Sequence, residues 1–160
     1  MEPITLDQTD LALLAQVQRD ASLSNQELAQ RVHTSAPTCL RRLKRLRDAG
    51  LIERQVAILQ PERLAQSLGH GLTAIVEVTL ERQDADSLNA FERRAVAEDA
   101  VQQSYQVSPG PDFVLVLHLA NMPAYQTLVQ RLFTSDANVR NVKAFFSVKR
   151  GKFGAELPLG

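Results

Sequence analysis

Features that would assign this 160-residue chain to a membrane or to a secreted scaffold are missing from its sequence. Its one cysteine, Cys39, excludes an internal disulfide framework and fits a reducing compartment. No apolar run approaches the roughly 20 residues that a membrane helix needs. The first ten residues also lack the charged and apolar regions of a signal peptide. We therefore expect a cytoplasmic protein with no membrane partner.

The motifs that mark common catalytic and metal centres are missing as well. The sequence has no glycine-rich phosphate loop, no nucleophile elbow and no paired carboxylates suited to acid–base chemistry. The three histidines, His33, His70 and His118, have no acidic or cysteine neighbour at metal-ligand spacing. We expect a protein that is not an enzyme, binds no metal and needs no cofactor.

The charge of the chain is informative through its distribution. The net charge is zero, because 18 basic residues balance 18 acidic ones, so bulk electrostatics do not indicate a nucleic-acid partner. Five basic residues without an acidic one lie between Ser35 and Arg47, and a second such run lies between Arg140 and Lys152. Charge runs usually form a solvated face. For the second run we favour an exposed strand end and tail over a contact with DNA.

The first fifty residues predict three short helices. Asp7 and Ser24 have the character of N-terminal caps, and each is followed three positions later by an acidic residue that favours a helix start. Ser35 caps the third helix, whose first turn tolerates Pro37 because the first N–H groups of a helix lack intrahelical partners. Gly50 ends that helix.

Contact with a DNA major groove requires polar and basic side chains on one face of a helix, and the third helix has such residues. Three leucines, Leu40, Leu43 and Leu46, are predicted to form its buried stripe. The other side presents hydroxyl and basic side chains, and arginine can pair bidentately with guanine O6 and N7. An amphipathic core helix with a basic exterior is the alternative. One mismatch with a helix-turn-helix motif is His33, which occupies a turn position where glycine is common.

Residues 51–59 follow the third helix and predict one or two strands. A hairpin there would form a wing and place Arg54 near the DNA backbone. Residues 60–64 predict a linker that turns into a short helix. We expect a DNA-binding domain over residues 1–60 and a linker over residues 61–69. The predicted DNA-binding residues are Ser35, Pro37, Thr38, Arg41, Arg42, Lys44, Arg45 and Arg54.

The second half, residues 70–160, predicts an alternating α/β domain. Apolar residues alternate or run continuously over four strands, at 72–80, 101–107, 113–119 and 139–148. Helical spacing follows Asp84 and recurs over 121–133. The order β-α-β-β-α-β predicts a ferredoxin-like sheet covered on one face by two helices, and hence an α+β chain. Apolar residues on the open face, Phe145 among them, predict a dimer.

Two segments resemble the Lrp/AsnC family of leucine-responsive and asparagine-type transcription regulators. They are residues 6–10, LDQTD, and residues 35–46, SAPTCLRRLKRL, followed by DAGLI at 48–52. The second segment is similar to the family's recognition helix, including its buried cysteine. The resemblance extends over nearly the whole chain. It implies a winged helix-turn-helix domain joined to a RAM/ACT-like domain that binds an amino acid and dimerises.

The resemblance also implies partners and an effector site. It implies sequence-specific binding to double-stranded DNA, dimers that assemble to an octamer of four dimers, and control of amino-acid metabolism genes by a small amino acid or related metabolite. The family's Thr-Gly-x-x-Asp-Tyr loop aligns with residues 108–113, SPGPDF. The implied effector-binding residues are Ser108, Gly110, Asp112 and Phe113.

Two departures from the family pattern affect this effector site. Pro109 replaces the expected glycine, removes a backbone N–H and fixes φ. Ala144 stands where threonine is common in the family. The effector is therefore either altered or lost, and Asp112 is either a ligand contact or a turn-forming residue.

Two other classes of protein are weighed against a regulator. Ferredoxin-like domains also accompany metabolic enzymes, but no residue cluster here suits acid–base or nucleophilic chemistry. A β-α-β-β-α-β sheet can also stack RNA bases, but that function needs exposed aromatic residues on the central strands. Residues 113–119 are mostly aliphatic instead.

Overall fold

The computed structural model describes residues 4–69 and 71–159, and the chain divides into two compact units. One unit comprises Met1–Ile58 together with Lys152–Gly160, and the other comprises Leu59–Gly151. His70, for which no ligand role is predicted, lies outside the described residues. Over the described part of the chain, no helix is both long enough and apolar enough to cross a membrane.

Three helices form the first unit: α1 (Gln8–Val17), α2 (Asn25–Arg31) and α3 (Ala36–Asp48). The predicted caps are present. Asp7 and Ser24 each form a complete capping box, and the Ser35 side chain accepts a hydrogen bond from the Thr38 N–H. The helices enclose one small core, which consists of Leu13, Val17, Leu28, Ala29, Cys39, Leu43 and Leu46.

The buried stripe of α3 differs from the predicted one. Leu43 and Leu46 are buried, but Leu40 is 58% exposed and Cys39 is fully buried in its place. A helix turns by roughly 100° per residue, so spacings of four and then three keep side chains on one line. Cys39, Leu43 and Leu46 have that spacing. The prediction for Leu40 was wrong because two successive steps of three residues drift around the helix.

Helices α2 and α3 end in the same kind of turn. After α2, the Thr34 N–H donates to the Ala29 carbonyl at 2.9 Å and the His33 N–H donates to the Gln30 carbonyl at 3.2 Å. This bonding pattern requires a left-handed residue, and His33 has φ 53°. Glycine is the preferred residue there, as at Gly50 after α3 (φ 73°).

The strands predicted over residues 51–59 do not form. The segment is extended and its side chains are mostly exposed, including Val56 and Ile58. A strand requires hydrogen bonds to a neighbouring strand, and no described residue pairs with this segment. The predicted short helix follows it as α4 (Pro61–Leu68).

The second unit contains a four-stranded antiparallel sheet, whose strands lie side by side in the order β2 (Val101–Gln106), β3 (Phe113–Leu119), β1 (Leu72–Leu80) and β4 (Val139–Phe146). Two helical segments lie in the crossovers, the second continuing into a π-helical turn at Val129–Thr134. This is the predicted β-α-β-β-α-β order. Its elements are β1 (Leu72–Leu80), α5 (Ala85–Val96), β2 (Val101–Gln106), β3 (Phe113–Leu119), α6 (Met122–Leu128) and β4 (Val139–Phe146).

Alternation along the strands separates a buried face from an open face. On β1, Ala74, Val76, Val78 and Leu80 point into the core, where Phe91 and Phe113 pack with ring centroids 4.9 Å apart. On the other face, Ile75 is paired in register with Phe145, and both side chains are exposed. Such an apolar row in the middle of a sheet is costly to leave in water.

Two substitutions at His33 test the left-handed turn after α2. Replacement by valine should lower the free energy of unfolding by about 1–2 kcal/mol, because a branched side chain is strained at positive φ. Replacement by glycine should change it by less than about 1 kcal/mol, because relief of strain offsets the greater entropy of the unfolded chain. Urea unfolding measures both values. Equal losses for the two variants would contradict the assigned turn.

Candidate DNA-binding and effector-binding sites

Helix α3 presents hydroxyl and basic side chains outside the core of the first unit. The hydroxyl of Ser35 donates to the hydroxyl of Thr38 at 2.9 Å, in the first turn. Arg41 and Lys44 are exposed, and neither forms an ion pair with another described residue. These two cations are therefore the basic side chains that the sequence predicted on α3 and that no ion pair to a described residue engages.

Two other arginines of α3 are held by carboxylates of α1. Nη1 of Arg42 donates to Asp7 Oδ2 at 2.7 Å and to Asp10 Oδ1 at 2.9 Å. Nη2 of Arg45 donates to the other oxygen of Asp10. Asp10 thus bridges two arginines that lie on successive positions of one helix face. The contact fixes the rotation of α3 relative to α1.

The carboxylate that forms this bridge is buried, and its burial affects its pKa. The side chain of Asp10 is 1% exposed, whereas those of Arg42 and Arg45 are 22% and 43% exposed. Burial alone would raise the pKa of Asp10, but the Asp7 N–H and the two guanidinium groups outweigh it and lower the pKa. The pKa of Asp7 is also lowered, by the Asp10 N–H and by Arg42. Both carboxyls are therefore ionised at neutral pH.

The sequence predicted Arg41, Arg42 and Arg45 of α3 as DNA contacts and missed the carboxylates that bind two of them. The sequence interpreted Asp7 and Asp10 as a helix cap, and both residues do form that cap. Each of them also accepts a hydrogen bond from Arg42 of α3. The sequence signal that could have indicated these ion pairs was the complementary charge of the acidic segment 6–10, LDQTD, and the basic segment 41–45, RRLKR. Pro37 is exposed at the start of α3, and Arg54 lies in the extended segment, where its Nε is 3.8 Å from Oε1 of Glu53.

The predicted effector loop lies between β2 and β3. Ser108 and Gly110 are exposed, and Gly110 has φ 122°, which favours glycine. The carboxylate of Asp112 accepts hydrogen bonds from the Leu80 N–H at 2.6 Å and from Gln83 Nε2 at 3.3 Å. In this structure Asp112 therefore ties the loop to the end of β1.

Phe113 is placed differently from the other three loop residues. Its ring is fully buried against Phe91 in the core of the second unit. The ring faces the helices and not the loop surface, so Phe113 would contribute to a ligand site through its backbone. Ala144 pairs in register with Val76 on β1 and is half-buried.

Both halves of the chain match known protein families. A family of winged helix-turn-helix DNA-binding domains matches residues 6–53, and the Lrp/AsnC ligand-binding domain family matches residues 73–157. These matches, with the exposed basic helix and the antiparallel sheet, define a DNA-binding transcription regulator that carries a ligand-binding domain. The chain belongs to the Lrp/AsnC family.

Individual relatives extend this match over almost the full length. A leucine-responsive regulatory protein from Rhizobium meliloti is 33% identical over 156 residues, which cover 98% of this chain and 97% of that protein. A transcriptional regulator from Neisseria meningitidis, solved in complex with L-Met, is 32% identical with a TM-score of 0.85 and 97% of each chain covered. An AsnC family regulator from Agrobacterium tumefaciens is 26% identical with the same TM-score, and 96% and 97% of the two chains are covered.

The carboxylates of α1 should make the stability of the first unit depend on acid. Their folded-state pKa values are lowered, so their contribution is fully present above the ordinary carboxyl pKa of about 4. It is lost as the pH falls from there through the lower folded-state values. The free energy of unfolding, measured by urea between about pH 6 and about pH 2, should fall accordingly.

Asp10→Asn tests the same contact at neutral pH. The variant leaves Arg42 and Arg45 without their shared carboxylate and should lose about 1–3 kcal/mol, because these arginines are partly exposed. Asp48→Asn is the matched control, because this exposed carboxylate of α3 forms no ion pair with a described residue. If Asp10→Asn and Asp48→Asn were equally stable, Asp10 would not be a structural anchor.

Proposed function

We propose that two copies of this chain bind a pseudo-palindromic duplex through α3, one helix in each of two successive major grooves. The observation that supports this most is the pair of unengaged cations, Arg41 and Lys44, on a helix whose rotation Asp10 fixes. Arg41 contacts base edges and Lys44 contacts the phosphate backbone. The first turn of α3, with Ser35, supplies N–H groups and hydroxyls to a phosphate.

The other predicted DNA-binding residues support the contact with DNA in this proposal but do not carry it. Arg42 is engaged by two carboxylates, so it orients α3 and adds positive potential near the backbone. Arg45 shares Asp10 through one nitrogen and keeps other N–H donors for a phosphate or a base. Pro37 and Thr38 line the start of α3, and Arg54 contacts the backbone from the extended segment.

The open face of the sheet supports assembly of the chain with itself. Ile75 and Phe145 form an exposed apolar row across β1 and β4. We propose that a second copy covers this face to form a dimer, and that four dimers form an octamer. The dimer supplies the two α3 helices that a pseudo-palindrome requires.

The effector in this proposal is a small amino acid or a related metabolite. The match to a ligand-binding domain and the L-Met bound to the Neisseria relative support it. The loop with Ser108, Gly110, Asp112 and the Phe113 backbone would contact the ligand, and binding would shift the balance of assembly states. The chain has no enzymatic activity in this proposal, acts in the cytoplasm, and regulates genes of amino-acid metabolism.

Two alanine variants distinguish base contact from phosphate contact on α3. Arg41→Ala should weaken binding by about 1–3 kcal/mol on the preferred duplex and relax the preference at one base pair. Lys44→Ala should weaken binding to all duplexes alike and reduce the slope of log K against log salt by about one unit. Titration of the fragment upstream of the chain's own gene measures both.

A matched control for these variants is Arg93→Ala, which removes an exposed cation of α5 in the second unit that forms no ion pair with a described residue. It should leave duplex binding unchanged. If Arg41→Ala and Lys44→Ala both bound duplex as the parent does, α3 would not be the DNA-contacting helix.

The same titration, repeated with a panel of free amino acids, tests the effector. One small amino acid should shift duplex affinity or the oligomeric state, because a ligand with unequal affinity for two states changes their populations. If no amino acid in the panel changed the binding of DNA, the proposal of a DNA-binding regulator would stand. The proposal of an amino-acid effector would be rejected.

A further inference from the structure

Leu40 is an exposed apolar side chain on α3, although the sequence predicted it in the buried stripe of that helix. It is 58% exposed, whereas its neighbour Cys39 and the next leucine of the helix, Leu43, are buried. It also lies outside the core cluster of the first unit. Leu40 therefore contributes little to that core, and any other contribution depends on the surface around it.

The surface around Leu40 carries the proposed DNA contacts. Pro37 lies three residues before Leu40 and Lys44 lies four residues after it, and residues at these spacings are neighbours on a helix. Pro37 is exposed as well, and so is Arg41, the proposed base contact, which follows Leu40 directly. Pro37 and Leu40 thus form an apolar patch in the N-terminal half of α3, bordered by two cations.

The DNA major groove offers an apolar side chain one kind of partner. The N-terminal residues of a recognition helix approach base edges in that groove. These edges present hydrogen-bond donors and acceptors and a single apolar group, the C5-methyl of thymine. A leucine that covered a donor or acceptor would leave it without water or a partner. Contact with the methyl group would instead remove apolar surface of both groups from water.

We propose that Leu40 is a specificity-determining residue that selects thymine through its C5-methyl group. The inference rests on the proposed entry of α3 into the major groove and adds an apolar contact beside the polar one of Arg41. The selection has two causes. Thymine gains the contact, whereas cytosine presents an N4 amino group and no methyl, and would lose a hydrogen bond to water.

Replacement of thymine by deoxyuridine isolates this contact, because it removes the methyl group and keeps the base pair. Burial of one CH₂-sized group changes a binding constant by about three- to fivefold. The test uses the full chain and the shortest duplex, taken from the fragment upstream of its own gene, that it binds. Each thymine of one half-site is replaced in turn, and fluorescence anisotropy gives the dissociation constant. Replacement of the contacted thymine should weaken binding by about three- to fivefold.

Two variants link this loss to the Leu40 side chain. Leu40→Ala should retain the fold, because Leu40 is exposed and alanine is the strongest helix former, and the melting temperature checks this. It should bind the thymine and deoxyuridine duplexes equally at the position where the parent distinguishes them. Leu40→Met keeps a large apolar side chain and should retain part of the difference.

Two further variants are controls. Leu51→Ala removes another exposed leucine of the first unit, 43% exposed, which lies beyond the end of α3. It should distinguish the two duplexes as the parent does. Lys44→Ala removes the proposed phosphate contact beside Leu40. It should weaken binding to both duplexes alike and leave the ratio of their dissociation constants unchanged.

Three results would overturn the selection of thymine by Leu40. The first is an equal loss on deoxyuridine substitution in the parent and in Leu40→Ala, and the second is a parent insensitive to every such substitution. The third is a methyl effect that persists in Leu40→Ala while sedimentation shows a changed oligomeric state, which would place Leu40 in a protein interface. Duplex binding by the parent would still support the proposed function in all three cases. A parent that bound no duplex would reject the proposed function and this inference together.

Discussion

The buried carboxylate of Asp10 is the contact on which the geometry of the first unit depends. An ionised carboxylate is costly to bury unless it is paired and hydrogen-bonded. The side chain of Asp10 is 1% exposed. The free-energy cost of its burial is offset by the guanidinium groups of Arg42 and Arg45 and by the capping hydrogen bond from the Asp7 N–H. Because these partners come from α3 and from the start of α1, one rotation of α3 satisfies all of them. The core residues Cys39, Leu43 and Leu46 then face inward, and Arg41 and Lys44 face outward.

The same contact resolves an electrostatic problem within α3. The helix carries five basic residues and a single acidic one, Asp48, in 13 positions, and like charges four residues apart repel. Two carboxylates from outside the helix neutralise the middle of this run without covering its exposed side. The helix therefore keeps a cationic surface for an anionic partner while its interior charges are balanced. Arginine suits this arrangement better than lysine, because its planar group donates to several acceptors at once.

The sequence predicted most elements of the fold because their signals are local. Capping residues such as Ser24 and Asp84 mark helix starts. Apolar alternation marks β1 and a nearly continuous apolar run marks β3, and the predicted bounds of both strands match the structure. Features that depend on distant partners were not predictable in this way. Residues 51–59 have a strand pattern but no described partner strand, and the docking of Leu157 on Gln18 joins positions 139 residues apart. The buried bridge at Asp10 was missed for the same reason, since a cap explained that residue locally.

A carboxylate also holds the predicted effector loop in the second unit. Asp112 is bound to the Leu80 N–H, so the loop is anchored to the end of β1 before any ligand arrives. A ligand can control DNA binding only if its affinity differs between two states of the protein. Within one chain, the unit that holds this loop and the unit that holds α3 are joined by two covalent crossings, at Ile58–Leu59 and at Gly151–Lys152. The second crossing leads from β4 into residues 152–159, where the backbone of Leu157 is hydrogen-bonded to the side chain of Gln18 at the end of α1. The other end of α1 holds α3 through Asp10.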